Sequence, residues 1–163
     1  MCGIFALISD NVKNSELNNK EFIKEAFELG KGRGPESSVI EEFHSPNEEL
    51  NITLGFHRLA INGLDSISMQ PLTLFGKKLI CNGEIYNYQK LGNYTNDIEF
   101  IDDCVNNNIN RLNEGWGPWA WAWTDGNVVR YATDPQGERC LYQYQDDDIL
   151  IVCSEIMPIL EYV

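Results

Sequence analysis

Cys2 and Gly3 directly follow the initiator methionine. A cysteine in that place can become the true N-terminus, and it then carries a thiol and a free α-amino group on one residue. An α-amino group titrates near ~8, well below lysine. It can be neutral at physiological pH and accept the thiol proton, as the N-terminal amine does for N-terminal threonine nucleophiles. Gly3 leaves room for a substrate to approach the backbone. Taken alone, Met1-Cys2-Gly3 reads equally well as a small-residue start to a strand. A second stretch with chemical content is Asn82-Gly83-Glu84, which stops a short apolar run abruptly. Asn-Gly is a strong turn signal, yet Ile85-Tyr86-Asn87-Tyr88 does not alternate like a returning strand.

The elements that must position these residues follow from periodicity. Ile4 to Ile8 is an apolar run expected to be a buried strand. A polar turn is expected over 9–15, then a helix over 16–29 with Leu17, Phe22, Ile23, Ala26 and Phe27 mostly on one face. Gly30, Gly32 and Pro35 end it. Strands are expected over Ser37–Phe43, Leu50–Phe56 and Lys78–Cys81. A loop runs through Gly63 to Pro71. A helix is expected over Asp97–Val105, with Ile98, Ile101 and Val105 at helical spacing. Trp119-Ala120-Trp121-Ala122-Trp123 alternates large and small and reads as a core strand, with the alanines allowing close packing on one face. Asn127–Ala132, Arg139–Tyr144 and Ile149–Cys153 read as a meander of strands, and Ser154-Glu155 as the cap of a last helix over Ile156–Leu160. Cys81 and Cys140 are therefore expected inside strands, packed and inert. About eight strands and three helices, in segregated runs, suggest an α+β fold: two sheets face to face with helices outside.

Composition limits the function. The chain has 163 residues and 43% hydrophobic content, enough for one compact domain over 1–163. Its 25 acidic and 12 basic residues give a formal charge of -13. Such a surface repels phosphate backbones and argues against nucleic-acid binding. No signal segment or membrane-spanning run is evident. Five widely spaced cysteines without a CxxC pair suggest free thiols in a reducing, cytoplasmic compartment. His44 and His57 are the only histidines, without ligand spacing, so no zinc site and no cofactor is expected. Two histidines also leave few candidates for a Cys-His pair, which favours the α-amino base.

Read in order, the motifs resemble the glutaminase domain of the class II glutamine amidotransferases, N-terminal-nucleophile hydrolases, and most closely that of asparagine synthetase. Met1-Cys2-Gly3-Ile4 matches the family's start. Arg33-Gly34-Pro35-Glu36 resembles its RGPD loop and His57-Arg58-Leu59-Ala60-Ile61 its RLSI segment. Gln70-Pro71-Leu72 and Asn82-Gly83-Glu84-Ile85-Tyr86-Asn87 match. Asn96-Asp97-Ile98-Glu99 resembles SDxE, and 117–125 resembles GxFAFxxxD. Asp134, Gly137, Leu141 and Tyr142 sit as in DxxGxxPLY, and Ser154-Glu155 as in ASE.

The resemblance implies a four-layer αββα sandwich of two mainly antiparallel sheets. It implies Cys2 as nucleophile with its α-amino group as base, and Asn82 with the Gly83 N–H as oxyanion hole. Arg58 would bind the α-carboxylate of L-glutamine, and Glu84 and Asp97 its α-ammonium. Taken singly, Arg58 also reads as a surface ion-pair partner and Asp97 as a helix cap. Departures from the family pattern are Glu36 for aspartate, Ala60 for serine, Thr133 for arginine and Cys140 for proline, and the segment between Glu84 and Asp97 is short. The SGGxDS loop of a synthase domain does not occur in the chain, so an ammonia-consuming synthase is expected in trans, beside the readings of a lone glutaminase and of a role that is not catalytic. Two alternatives stand beside this reading: hydrolysis of another amide, and a degenerate glutaminase kept for binding or regulation.

Overall fold

The computed structural model describes residues 1–10, 20–59 and 69–163. Strand β1 (Gly3–Asp10) buries Ile4, Ala6 and Ile8 on one face and Phe5 and Leu7 on the other. A strand buried on both faces lies between two layers. It pairs antiparallel with β3 (Leu50–Arg58) and β9 (Ile149–Cys153). Strands β2 (Ser37–His44) and β8 (Tyr142–Gln145) complete a five-stranded sheet of order β2-β3-β1-β9-β8. The second sheet has the order β4-β5-β6-β7, from Leu72–Leu74, Lys77–Gly83, Trp119–Thr124 and Val129–Thr133. Every pairing in it is antiparallel.

Residue alternation decides which side chains enter which layer. Ile4, Ala6, Ile8, Ile52, Leu54 and Phe56 meet Ile80 and Ala122 between the sheets. Behind the first sheet, Phe5, Leu7 and Ile151 pack on Ile23, Ala26 and Phe27 of α1 (Lys20–Glu28) and Ile159 of α4 (Met157–Tyr162). Behind the second, Leu79, Cys81 and the three tryptophans of β6 pack on α3 (Asp97–Asn107). The layers run α, β, β, α, the fold that the motifs imply. The tryptophans are core residues, and Ala120 and Ala122 face the other way with no exposed surface. Among the described residues, no helix is long and apolar enough to cross a membrane.

Several expectations change. Asn82-Gly83 is not a turn: both residues continue β5, opposite Ala120 and Trp119 of β6. Tertiary pairing overrides the local turn preference because a neighbouring strand satisfies their backbone. The expected meander divides: β7 ends the second sheet, and the chain crosses to the first for β8 and β9. The strand expected from Arg139 begins only at Tyr142, and Cys140 lies exposed in the connection, while Cys81 is buried in β5. Ser154 does not cap α4, whose N-cap position is Ile156. Its hydroxyl instead accepts the Ile4 N–H at 3.1 Å. The expected turn and helix start over 11–19 lie outside the described residues, as do Ala60, Ile61 and most of the loop before Gln70. Short helical segments at Tyr88–Leu91 (α2) and Ile109–Glu114 add to the expected set.

Sheet stacking rather than surface charge holds this together. The Lys20–Glu42 pair is 82% and 39% exposed, so it contributes at most about 1 kcal/mol. Truncating a fully buried phenylalanine such as Phe56 costs ~3–5 kcal/mol. His57 belongs to this framework. Its ring stacks on Phe27 at 3.9 Å, with Nε2 2.8 Å from the Phe27 carbonyl and Nδ1 2.8 Å from the Ser38 hydroxyl. Nε2 therefore donates and Nδ1 accepts, as in a neutral ring. Burial lowers its pKa, against a smaller upward pull from the Phe27 carbonyl and Glu28. A histidine with a lowered folded pKa stabilises fully above its unfolded value of ~6.5 and loses that contribution as pH falls. Urea midpoints between pH 7.5 and 5 should fall more steeply for the wild-type protein than for His57→Gln. Equal slopes would remove His57 from the account, since other groups cancel in the comparison.

Candidate active site

The β1–β3 register sets Gly3 opposite His57 and Ile4 opposite Phe56. One step further out, it brings Cys2 beside Arg58, where both strands leave the sheet. The Cys2 Sγ lies 3.4 Å from both the N–H and the carbonyl oxygen of Leu59. Arg33 clamps the same corner. Its Nε donates to the Cys2 carbonyl at 3.1 Å, and its Nη1 to the Ser154 carbonyl and, at 2.7 Å, to Glu155. The arginine-glycine pair that carries this clamp sits tightly on β3: a Cβ at Gly34 would come within 2.2 Å of the His57 carbonyl.

The second sheet supplies the facing wall. Asn82 and Gly83 end β5, and Glu84 follows, its N–H donating to Pro118 at 2.9 Å. Gly117 (φ +143°) passes so close that a Cβ there would lie 2.0 Å from the Glu84 carbonyl oxygen. Gln70 braces the other side of β5. In register it falls opposite Cys81, and its side-chain amide pairs with both the N–H and the carbonyl of Cys81. The side chain thus replaces a missing backbone partner beside Asn82. Asn96 caps α3 by accepting the Glu99 N–H at 2.9 Å. Asp97, the first helical residue, turns inward and accepts the Ile85 N–H at 3.1 Å. It is not the cap.

Cys2, Arg58, Asn82, Gly83, Glu84 and Asp97 all line one cleft enclosing about 520 Å³, part of it open to solvent. Met1, Leu59, Gln70, Cys81 and Arg139 complete most of the wall. The side-chain Nδ2 of Asn82 is buried and has no hydrogen-bond partner among the described residues. Burial raises the Cys2 pKa, partly opposed by the Leu59 N–H and by the positive N-terminus and Arg58. A thiol pushed up in this way needs a base before it can act as a nucleophile. Burial also raises the Asp97 pKa, the Ile85 N–H lowers it and the Glu84 charge adds to the rise.

Three contributors were not legible as site residues in the sequence. Gln70 and Arg33 lie in quoted motifs, yet nothing in the sequence gives either side chain a partner. Arg139 lies between matched positions, delivered by a loop that Asp134 organises. The Asp134 carboxylate accepts the N–H groups of Trp119, Gln136, Glu138 and Arg139 at 3.1–3.3 Å. Burial works to raise its pKa, but these donors prevail and lower it. Arg139 then reaches Glu84 through Nη2 at 3.3 Å and the Met1 sulfur through Nη1 at 3.0 Å.

Comparison with known proteins gives the family and the fold. The family model described as the glutamine amidotransferase domain matches residues 1–163. A Methanocaldococcus jannaschii protein, named as an asparagine synthetase (glutamine-hydrolyzing), is 32% identical over 178 residues, covering 95% of this chain. The chain spans 32% of that relative's length. Two solved structures share the fold. A glutamine phosphoribosylpyrophosphate amidotransferase from B. subtilis, complexed with ADP and GMP, gives a TM-score of 0.70 at 18% identity, over 97% of this chain and 43% of its own. A structure described as the allosteric regulatory enzyme of purine biosynthesis gives 0.74 at 18% identity, over 98% and 43%. With the family pattern running its whole length and the fold of solved amidotransferases around its cleft, the chain belongs to the class II glutamine amidotransferases.

Proposed function

We propose that this domain hydrolyses L-glutamine to glutamate and ammonia through a γ-glutamyl thioester on Cys2. The observation that carries the reading is the buried Nδ2 of Asn82, unpartnered among the described residues, in the cleft that Cys2 also lines. A buried amide donor without a partner costs about 1–3 kcal/mol. That cost is offset if the donor serves a charge that forms during reaction.

Removal of Met1 frees the Cys2 α-amino group, which takes the thiol proton. The thiolate attacks the γ-carbonyl carbon of glutamine, and the carbonyl electron pair moves onto oxygen. Asn82 Nδ2 and the Gly83 N–H stabilise that oxyanion. The ammonium of Cys2 returns the proton to the leaving nitrogen, the C–N bond breaks and ammonia departs. Water activated by the same amine then hydrolyses the thioester. Arg58 binds the substrate α-carboxylate, for which its planar fork is suited. Glu84 and Asp97 accept the α-ammonium.

Cys2→Ala should abolish hydrolysis and end labelling by the glutamine-like electrophile diazo-oxo-norleucine, while intact mass of the active protein should begin at Cys2. Cys140 is the alternative target because it is exposed, whereas burial pushes Cys104 to about 11 and Cys153 to about 12. Labelling that persists in Cys2→Ala, or full activity with Met1 retained, would overturn the assignment.

Kinetics separate the two binding roles. Asn82→Ala should lower kcat by ~100- to 1000-fold with little change in KM, because the oxyanion exists only near the transition state. Arg58→Ala should raise KM by roughly ten- to a hundredfold, since the carboxylate contact is shared by ground and transition states. Exchange of these two patterns would refute the pose.

The reading extends to the nitrogen acceptor. The Methanocaldococcus jannaschii relative's name pairs glutamine hydrolysis with asparagine synthesis. We place the ammonia-consuming synthase on a partner polypeptide with a basic docking face, complementary to a charge of -13. Adding the partner should raise a weak basal glutaminase rate, and association should slow as salt is raised. Full activity alone, unchanged by the partner, would indicate an independent glutaminase.

A further inference from the structure

We infer that Arg139 is a positioning residue that balances the charge of the α-ammonium subsite by holding Glu84. This rests on the proposed glutamine reading and deepens it. The first observation is what the guanidinium touches. Arg33 is tied to two backbone carbonyls and a carboxylate, and Arg111 to the Leu91 carbonyl, Asp103 and Tyr94. Both brace the fold. Among the described residues, the Arg139 side chain meets two groups of the cleft, Glu84 and the Met1 sulfur, and its buried Nε has no partner there. It holds no backbone carbonyl among the described residues. When Met1 is removed, Glu84 is its remaining side-chain partner among the described residues.

The second observation is delivery. Four backbone N–H groups on the Asp134 carboxylate fix the loop, one of them belonging to Arg139 itself. The Arg139 and Glu84 side chains are only 15% and 20% exposed, so solvent screens the pair incompletely. The third is a charge count. Glu84 and Asp97 bring two negative charges to a subsite that receives one ammonium. Arg139 leaves a net single negative charge, which matches the substrate. Without it, two neighbouring carboxylates face each other in a partly dry cleft, and one tends to protonate. Asp97 is the one poised to do so, because burial and the Glu84 charge already push it upward. The other charged and titratable groups around it are Cys81 in β5, Arg58 at the end of β3, Cys2 at the mouth of β1 and, on α3 itself, Glu99.

The test uses the processed protein and Arg139→Gln. KM for glutamine should rise about three- to tenfold, more than kcat falls. Carbon NMR titration of the Asp97 carboxyl in Cys2→Ala should move up by about half a pH unit or more when Arg139→Gln is added, the scale of one charge removed from a partly solvated pair. Arg139→Lys, which keeps the charge, should bring both the titration and KM back. An unmoved carboxyl titration would overturn the proposal. So would an Arg139→Gln protein that does not fold, because Arg139 would then be a brace like Arg33. If the wild-type protein does not hydrolyse glutamine, the functional reading fails, and the carboxyl titration still decides the role of Arg139.

Discussion

The antiparallel pairing of β1 with β3 is the constraint on which the rest depends. A chain terminus ordinarily frays because few contacts hold it. Here eight residues from Gly3 pair with β3, and Phe5 to Ser9 pair with β9 on the other side. The pairing brings the first residues to one fixed corner beside Arg58. Ile4 and Ser154 add a reciprocal pair: the Ile4 N–H donates to the Ser154 hydroxyl, and the Ser154 N–H donates to the Ile4 carbonyl. Arg33 closes the corner from outside. The proposed role of Cys2 as nucleophile needs this, because misplacement by about an ångström can cost a hundredfold in rate.

The site is shared between two sheets, so the packing between them sets its dimensions. The first sheet holds Cys2 and Arg58, and the second holds Asn82, Gly83 and Glu84. Among the described residues, no hydrogen-bonded ladder joins the two. Their separation comes from Ile4, Ala6, Leu54 and Phe56 against Ile80 and Ala122. Small residues at Ala6 and Ala122 let the backbones approach, and close-packed interiors deform little. The alternation in β6 therefore has two uses. Its tryptophans fill the space under α3, and its alanines bring β5, with Asn82, toward the first sheet.

The rim is built by side chains that take the place of backbone. Gln70 continues a ladder on β5 where the chain itself has turned away. Asp134 gathers four N–H groups that no strand or helix satisfies. Asn87 accepts the Trp116 N–H and donates to the Glu114 carbonyl, holding the backbone on the far side of Glu84. Buried or half-buried loop backbone must find partners, and here a few polar side chains supply them. They fix the positions of Glu84 and Arg139 without crossing the cleft.

Composition, periodicity and motif order carried the class of the molecule. Apolar runs and alternation marked the strands of both sheets and the central helices, because burial against a flat layer imposes a period that the chain must carry. The ordered motifs pointed to Cys2, Arg58, Asn82, Gly83, Glu84 and Asp97, and all six line one cleft. Tertiary structure alone decided what each local signal meant. Asn82-Gly83 has turn chemistry, yet pairing with β6 keeps the backbone extended, and Gln70 holds Cys81 just before it. Arg139 and Cys140 read as strand residues, but the chain must cross between sheets there, which leaves Cys140 exposed and aims Arg139 at Glu84. Ser154 reads as a helix cap, yet the nearest unsatisfied donor is Ile4, from the opposite end of the chain. Local preferences amount to about 1 kcal/mol per residue. A buried backbone group without a partner costs as much or more, so the partners that the fold provides prevail over the signals that the sequence carries.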